Sequence, residues 1–324
     1  MPAIGYHASH EQFRPGELLA LVQQAEAAGF GSAMCSDHFH PWSRAQGQSG
    51  HAWTWLGAAM GATTFPFGVV NSPVGRYHPA VIAQAAATLA DMHGDRFWLA
   101  VGTGEALNEC ITGAPWPAKD VRNRRLREAV DVMRALWRGE EVTHHGEFTV
   151  DRARLYSLPP RPLPLIAAAL GPGTARWAGG WADGLITVSQ PRDKLRKVID
   201  AFREGGGEGK PVRLQVKLSW AEKEEDARQG AFEQWRTNLF EGSVSEDLRS
   251  PEQFEAAAQF VTPGDLEPGV RVSADLGQHA AWLREDLESG ADQLLLHNVN
   301  RGQAAFIDAF GAKVLPQLRD AGSA

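Results

Sequence analysis

The chain has 324 residues, a length that suits one large α/β barrel or two smaller domains. Its formal net charge of −7 and pI of about 5.9 argue against a general role in binding nucleic acids or anionic membranes, which requires a basic face. Two cysteines, Cys35 and Cys110, are too few for a disulfide framework, and we expect both to be reduced thiols. The first residues show no signal-peptide pattern, and no window approaches the roughly 18 apolar residues of a membrane span. The sequence therefore predicts a cytoplasmic protein.

Hydrophobic periodicity predicts eight strands that alternate with helices along the chain. The predicted strands cover residues 3–7, 31–36, 65–70, 96–101, 165–169, 184–188, 212–220 and 293–297. The predicted helices cover approximately residues 16–28, 52–62, 79–92, 119–137, 175–178, 193–203, 276–289 and 303–318. A hairpin is predicted at 139–150, and a charged, helical insertion is predicted at about 221–271, after the seventh strand. This alternation is typical of a (β/α)8 TIM barrel, and we expect a single such domain over 1–324.

Polar residues stand at the ends of most predicted strands. The second strand ends in Asp37, His38 and His40, and Trp42 follows. The other strands end in His7, Asn71-Ser72, Gly102-Thr103-Gly104-Glu105, Gly171-Pro172-Gly173-Thr174, Ser189-Gln190, Trp220 and His297-Asn298. Because the carboxyl ends of all strands in a parallel barrel surround one mouth, we expect these side chains to line a single site.

Two glycine-containing turns invite different interpretations. The turn from Gly171 to Thr174 precedes a predicted helix, whose free N–H groups favour an anion such as a phosphate. Glycine is also common in βα turns for purely structural reasons, so both interpretations stay open. The run from Gly102 to Gly104 is not a dinucleotide-binding fingerprint, because Leu107 occupies the position of the third glycine.

The histidines of the second strand allow a metal site as an alternative. His38 and His40 alternate along a strand, so both imidazoles and that of His7 point toward one region. The later strand ends supply too few further ligands, and we therefore expect no metal. Ser-His-Asp hydrolysis is disfavoured because no GxSxG elbow is present. The imidazole of His38 and the carboxyl of Glu105 are candidates for an acid–base pair.

Four motifs carry a resemblance to a known superfamily. They are SDHFHPW, PVGRYHPAVIAQAAATLADM, VGTGEALNE and IAAALGPGTARWAGGWADGLI. Together they resemble the luciferase-like flavin and deazaflavin oxidoreductases, and the similarity extends to the coenzyme F420-dependent glucose-6-phosphate dehydrogenases. The motifs YHASHEQF and MCSDHFHPW and the GQSG loop resemble more closely the group of probable non-F420 flavinoid oxidoreductases. The resemblance implies a luciferase-like barrel and an enzyme that depends on a flavin or a deazaflavin.

The resemblance also implies roles for individual residues. His38 is the expected proton acceptor, Glu105 the second proton-transfer group, and Trp42 a wall of the reacting centre. The expected cofactor-binding residues are Asp37, Asn71, Ser72, Gly102, Thr103, Gly104, Asn108, Ala169, Gly171, Gly173, Thr174 and Thr187. The expected substrate-pocket residues are His7, Glu11, His40, Gln190 and Trp220.

From the acidic composition and the narrower resemblance we expect FMN as the cofactor, with coenzyme F420 as the alternative, since the tail of F420 is polyanionic. The expected reaction is hydride transfer between the ring and a small organic substrate, and FMN would also permit a monooxygenase. A phosphosugar substrate is not expected, because the positions that match basic residues of the dehydrogenases fall near Gln190, Ala256 and 268–270 and are not basic. A metal-dependent hydrolase and a non-catalytic flavin-binding protein are the alternatives from other classes. Relatives imply a homodimer.

Overall fold

The computed structural model describes residues 3–240, 242–267 and 269–320. The strands, numbered in chain order, are β1 Ala3–Ala8, β2 Ser32–Ser36, β3 Phe67–Asn71, β4 Phe97–Val101, β5 Val142–His145, β6 Thr149–Ala153, β7 Leu165–Ala168, β8 Gly184–Val188, β9 Val212–Ser219, β10 Arg271–Val272 and β11 Gln293–Asn298. The α-helices are α1 Pro15–Ala27, α2 Ala52–Ala62, α3 Pro79–His93, α4 Ala106–Glu109, α5 Lys119–Trp137, α6 Pro172–Gly179, α7 Arg192–Phe202, α8 Glu224–Trp235, α9 Gly242–Ser245, α10 Pro251–Ala257, α11 Leu276–Glu288, α12 Gln303–Lys313 and α13 Leu315–Asp320.

Eight of these strands close into a parallel barrel. Their order around the barrel is β1, β2, β3, β4, β7, β8, β9 and β11, and β11 pairs with β1. The strands β5 and β6 form an antiparallel hairpin outside the barrel, and the short β10 pairs in parallel with the end of β9. The predicted TIM barrel is therefore confirmed. None of the described helices has the length and apolarity needed to cross a bilayer.

The strand β9 shows how the barrel separates its two faces. Val212, Leu214, Val216 and Leu218 alternate along it and join the main apolar core under the helices. The residues between them point inward, as the twofold period of a strand requires. The interior of the barrel holds a second apolar cluster of Met34, Trp98, Ala100, Ile166, Ile186 and Leu295. Side chains fill this part of the barrel, so ligands are restricted to its mouth.

Gly68 of β3 makes room for the largest side chain of this interior cluster. A Cβ atom placed on Gly68 would lie 2.0 Å from ring atoms of Trp98. Glycine is therefore required here so that the indole can cross the barrel beneath the mouth.

The segment between β9 and β11 forms the predicted insertion. It contains α8, α9, α10 and short 3₁₀ turns before α11. Trp235, Leu266, Val270 and Val299 form part of a small apolar cluster that attaches it to the barrel. The insertion thereby covers one side of the mouth.

Two predicted helices differ from the observed ones by more than one residue at an end. The helix expected at 175–178 spans Pro172–Gly179, because Pro172 needs no N–H partner in the first helical turn. The helix expected at 303–318 is divided at Val314. Pro316 has no N–H to donate to the preceding turn, so the helical hydrogen bonding cannot run through it unbroken.

Candidate active site

A cavity of about 840 Å³ lies at the carboxyl ends of the barrel strands. Sixteen of the predicted site residues line it, which are His7, Glu11, Asp37, His38, Trp42, Asn71, Ser72, Gly102, Thr103, Gly104, Glu105, Asn108, Ala169, Gly171, Thr174 and Thr187. They come from separate strands, and the closed parallel order of the barrel brings them together. Their individual roles stay predictions.

An ion pair between His38 and Glu11 is the central feature of this cavity. Nδ1 of His38 lies 2.7 Å from Oε1 of Glu11, and the hydroxyl of Ser9 donates to the other carboxylate oxygen at 2.8 Å. The hydroxyl of Ser49, in the GQSG loop, donates to the backbone carbonyl of His38 at 2.8 Å. Glu11 thus orients the imidazole, Ser49 fixes the backbone that carries it, and Nε2 is the nitrogen that a ligand can reach.

Burial and charge act in opposite directions on this pair. Burial lowers the pKa of His38, but the adjacent Glu11 carboxylate outweighs burial and raises this pKa above its ordinary value. Burial raises the pKa of Glu11, but the charge of His38 and the contacts to His38 and Ser9 bring it well below its ordinary range. Glu11 therefore remains ionised and strengthens His38 as a base.

Glu105 supplies a second titratable group in the same cavity. Burial raises its pKa to about 7, against the opposing charge of His38, and neighbouring carboxylates act in the same direction as burial. Its Oε2 is buried without a hydrogen-bond partner in the described part of the chain. A carboxyl group that titrates near neutral pH is suited to proton transfer in either direction.

The pKa of Glu105 predicts how the stability of this protein depends on pH. Between the ordinary pKa of 4.5 and the folded-state value of about 7, the native protein holds a proton that the unfolded chain has lost. The free energy of unfolding should therefore fall as pH rises through this window. Glu105→Gln removes that dependence, so the variant should be more stable than wild type above pH 7 by up to about 3 kcal/mol. Urea denaturation of both proteins across this range tests the prediction, and two parallel stability curves would contradict it.

The carboxylate of Asp37 is saturated by donors from the protein. It accepts from Nε1 of Trp53 at 3.1 Å and from Nδ2 of Asn71 at 2.8 Å, and it pairs with Arg76 at 3.1 Å. Arg76 also pairs with Glu109 at 2.6 Å. This network shapes the wall next to His38. The sequence reasoning missed Arg76 and Glu109, although both lie in the quoted motifs.

His40 was expected in the substrate pocket, and the structure corrects this. Its Nδ1 lies 2.8 Å from the carbonyl of Leu107, and its side chain is not part of the cavity wall. Asn108 accepts from the backbone N–H groups of Phe39 and His40 at 2.8 and 3.2 Å. His40 thus joins the loop after β2 to the segment after β4. No group of three or more His, Cys, Asp or Glu in the described residues is arranged to hold a metal ion.

Trp220 and Gln190 are two further corrections to the expected substrate pocket, since neither lines the cavity, whereas the role of Gly173 in cofactor binding stays a prediction. Trp220 follows Leu218 by two positions and therefore shares its outward face. Its Nε1 donates to the carbonyl of Ala274 at 3.1 Å, in the layer of the helices. The side chain of Gln190 reaches toward the carbonyl of Leu170 at 3.5 Å. Gly173 is exposed in the first turn of α6.

The glycine turns suit the approach of a ligand. Gly104 has a φ of +77°, and a Cβ atom there would lie 2.8 Å from side-chain atoms of Ser72 and Glu109. A Cβ atom on Gly171 would meet nothing within 4 Å, so the space beside this turn is open. The N–H groups of Gly173 and Thr174 lie in the first turn of α6 and have no acceptor inside the helix. An anionic group fits this end of the cavity.

Several polar atoms around the cavity lack partners within the described chain. They are Oδ1 of Asn71, Oγ1 of Thr187 and Nε1 of Trp181, and all three are buried. Buried polar atoms normally form hydrogen bonds, so these atoms indicate contacts that a bound ligand completes. Together with the volume of the cavity, they fit a large ring ligand with polar edges and a phosphate.

The cavity wall also contains residues that the sequence reasoning did not place there. They include Gln215 and Lys217 of β9, Trp177 and Trp181 near α6, and Trp235, Glu246 and Phe254 of the insertion. The alternation of Val212 to Ser219 contained the signal for Gln215 and Lys217, because inward residues of a barrel strand near its carboxyl end face the mouth.

The model of the luciferase-like monooxygenase family matches residues 2–293. This chain belongs to that family. The F420-dependent glucose-6-phosphate dehydrogenase of Intrasporangium calvum is 36% identical, over 98% of this chain and 99% of the relative. The enzyme of the same description from Mycobacterium avium is 35% identical, over 98% of both chains.

Solved structures agree with this membership. An F420-dependent secondary alcohol dehydrogenase, solved in complex with an F420–acetone adduct, has a TM-score of 0.92 and 34% identity, covering 98% of this chain and 99% of its own. The coenzyme F420-dependent tetrahydromethanopterin reductase of Methanopyrus kandleri has a TM-score of 0.77 and 19% identity, covering 97% and 99%, and supports the fold alone. The expectation of a flavin- or deazaflavin-dependent oxidoreductase is confirmed at the level of the family.

Proposed function

We propose that this chain is a coenzyme F420-dependent dehydrogenase that moves a hydride between the deazaflavin and a carbon of a small alcohol or carbonyl compound. The observation that carries the proposal is the His38–Glu11 ion pair, which presents a strengthened base to the cavity. FMN was the cofactor expected from the sequence. The similarity to F420-dependent enzymes at 34–36% identity supports F420 instead.

When bound, the deazaflavin accepts or donates the hydride, and the protein supplies orientation and proton transfer. The turns at Asn71-Ser72 and Gly102–Gly104 would hold the edge of the ring. The first turn of α6, after Gly171, would hold the phosphate, because its free N–H groups and the helix dipole favour an anion.

Oxidation of an alcohol releases a hydride and a proton from the substrate. With the bound deazaflavin as hydride acceptor, Nε2 of His38 would accept the hydroxyl proton of the substrate. The carboxylate of Glu11, which lies at Nδ1 on the opposite side of the imidazole, would stabilise the resulting imidazolium. The carboxyl of Glu105 would donate the second proton, which the cofactor takes up on reduction. In the direction of carbonyl reduction, the same two groups act in the opposite sense.

Aromatic side chains exclude water from these proton transfers. The ring of Trp42 lies edge-on to His38 with centroids 5.2 Å apart, and Phe254 of the insertion packs against Trp42 at 5.1 Å. Removal of water strengthens the interaction of His38 with Glu11, because the local dielectric constant falls.

Separate titrations of the purified protein with F420 and FMN test the choice of cofactor. Changes in the visible absorption of each ring report binding, and we expect F420 to bind at least about 100-fold more tightly than FMN. Thr187→Val and Thr174→Val should weaken binding, because each removes a hydroxyl that lines the cavity. Tighter binding of FMN, together with consumption of oxygen by its reduced form, would instead identify an FMN monooxygenase.

A further inference from the structure

Lys217 is a charged side chain of the cavity that the proposed mechanism does not use. It lies on the inward face of β9 and lines the cavity. Among the described residues its ammonium group has no hydrogen bond and no ion pair, and its nearest ring, that of Trp235, is 5.6 Å from Nζ. The other lysine of the cavity wall, Lys119, is paired with Glu246 at 2.9 Å. Lys217 is thus a cation without a contacting anion.

Lys217 retains its charge despite its surroundings. Burial lowers its pKa to about 8, with Glu105 acting in the opposite direction, so the ammonium form still prevails at neutral pH. Lys217 is only partly buried, but a cation held there without a counter-charge still costs free energy, and an anionic ligand would offset that cost.

The amide of Gln12 determines which ring nitrogens of His297 and His7 carry a hydrogen. Its Nε2 donates to the backbone carbonyl of Val299 at 2.8 Å, so its Oε1 is the atom 3.0 Å from Nε2 of His297. An amide oxygen only accepts, and His297 therefore carries its proton on Nε2 and has a bare Nδ1. Gln215 must present its NH₂ group to this Nδ1, at 3.4 Å, and the same group lies 3.1 Å from Nδ1 of His7. His7 consequently carries its proton on Nε2.

His7 is therefore a neutral donor that faces the cavity. Burial lowers its pKa to about 4, although Glu11 opposes this effect. Its ring stacks on that of His297, with centroids 4.3 Å apart and planes 6° apart. Its Nε2 is buried and has no acceptor within the described part of the protein. The N–H group at Nε2 needs an acceptor that the protein does not provide.

The order of the barrel strands places Lys217 and His7 away from the glycine turns. The strands β9, β11 and β1 are neighbours and carry Lys217, His297 and His7. The strands opposite β11 and β1 in the closed order are β4 and β7, which precede the turns at Gly102 and Gly171. A ligand group bound by Lys217 and His7 therefore lies across the mouth from the place of the cofactor phosphate.

We propose that Lys217 and the Nε2–H of His7 form an oxyanion site for the substrate, which takes a carboxylate or a phosphate ester. This inference rests on the proposed function, and it narrows the substrate to a small alcohol or carbonyl compound with an acidic group. Lys217 and His7 lie apart from Gln190 and Ala256, the positions that match basic residues of the glucose-6-phosphate dehydrogenases. The proposed site therefore does not imply a sugar phosphate as the substrate.

Calorimetric titration of the protein without cofactor tests this site. The probes are lactate, inorganic phosphate and propane-1,2-diol, which is the neutral counterpart of lactate. Lactate or phosphate should bind about 10- to 100-fold more tightly than the diol, since hydrogen bonds to charged groups supply this difference. Because the first turn of α6 also suits phosphate when no cofactor is bound, the anion whose affinity falls in Lys217→Met distinguishes a carboxylate from a phosphate substrate.

Variants show whether Lys217 and His7 bind the anion directly or whether any loss of positive charge has the same effect. Lys217→Met removes a partly buried cation that has no counter-charge, so the variant should fold at least as stably as wild type and lose the preference for anions. His7→Phe should weaken anion binding, and His7→Gln, which retains an N–H donor, should restore part of it. Lys119→Met is the matched control and should retain the preference, because Lys119 is 42% exposed and is already in contact with the carboxylate of Glu246.

Equal affinities for lactate, phosphate and the diol would contradict the proposed oxyanion site. Equal losses of anion affinity in Lys217→Met and Lys119→Met would also contradict it. These titrations contain no cofactor, so their outcome does not depend on the proposed dehydrogenase reaction. Turnover with F420 on neutral alcohols alone would leave the proposed function intact while contradicting this inference.

Discussion

His38→Asn should lower kcat by about 10²- to 10⁴-fold, because the variant loses the base that accepts the hydroxyl proton of the substrate. Asparagine retains a polar side chain of similar reach but has no basic nitrogen. Binding of the cofactor should change little, since His38 is assigned to proton transfer and not to holding the ring. Steady-state kinetics with F420 and direct titration of the cofactor measure the two effects separately.

Two further variants make this result specific to the ion pair. Glu11→Gln removes the charge that raises the pKa of His38, so the limb of the pH–rate profile that requires neutral His38 should move to lower pH. His78→Asn is the control, because His78 is an exposed N-cap of α3 and asparagine is a favourable N-cap. Full turnover in His38→Asn, or an unshifted profile in Glu11→Gln, would contradict the assignment of His38 as the base.

Arg76→Met should destabilise the protein by about 3–5 kcal/mol, the usual cost of removing one partner from a buried ion pair. The side chain of Arg76 is 5% exposed, and those of its partners Asp37 and Glu109 are 1% and 3% exposed. The substitution leaves two buried carboxylates without a counter-charge. The loss should decrease as the pH falls, because burial raises the pKa of Glu109 and its protonation removes one of the two uncompensated charges.

Urea denaturation at neutral and acidic pH measures this destabilisation. Arg127→Met is the matched control, because its exposed pair with Asp131 on α5 should contribute less than about 1 kcal/mol. The double variant Arg76→Met/Glu109→Gln should recover part of the loss, since it removes one of the two uncompensated charges. If Arg76→Met cost no more than the control, the buried network would not support the wall beside His38.

The barrel was predictable because local patterns agree with its architecture. The predicted bounds of α2, α5 and β8 coincide with the observed Ala52–Ala62, Lys119–Trp137 and Gly184–Val188. Alternating strands and helices of this length leave few other folds. The rule that parallel strands share one mouth then placed His38 and Glu105 in the same cavity.

The errors at the site arose where side-chain direction matters. Trp220 lies at the end of β9, but its position relative to Leu218 directs it outward, whereas Lys217 points inward. Counting in steps of two from the apolar residues of β9 would have corrected both assignments. Position at a strand end was thus enough to predict that His38 lines the cavity, because its loop lies at the mouth. It was not enough for Trp220, whose side chain points outward.

Sequence patterns could not predict which residues that are distant in the chain form pairs. Glu11 pairs with His38 and Arg76 pairs with Glu109 only because the barrel brings separate loops together. The preference for FMN relied on the narrower resemblance and on the net charge of the whole chain. Net charge does not describe the few residues that contact a cofactor, and for this reason it was a weak indicator.

Transfer of deuterium from substrate to cofactor tests the central claim most directly. A panel of secondary alcohols, neutral and carboxylate-bearing, each deuterated at the carbinol carbon, would be incubated with the protein and oxidised F420. We expect that one of them reduces F420 and leaves one deuterium in the reduced ring, as detected by mass spectrometry, and that His38→Asn suppresses the transfer. Failure of every alcohol to reduce F420, with deuterium transfer to FMN instead, would contradict it.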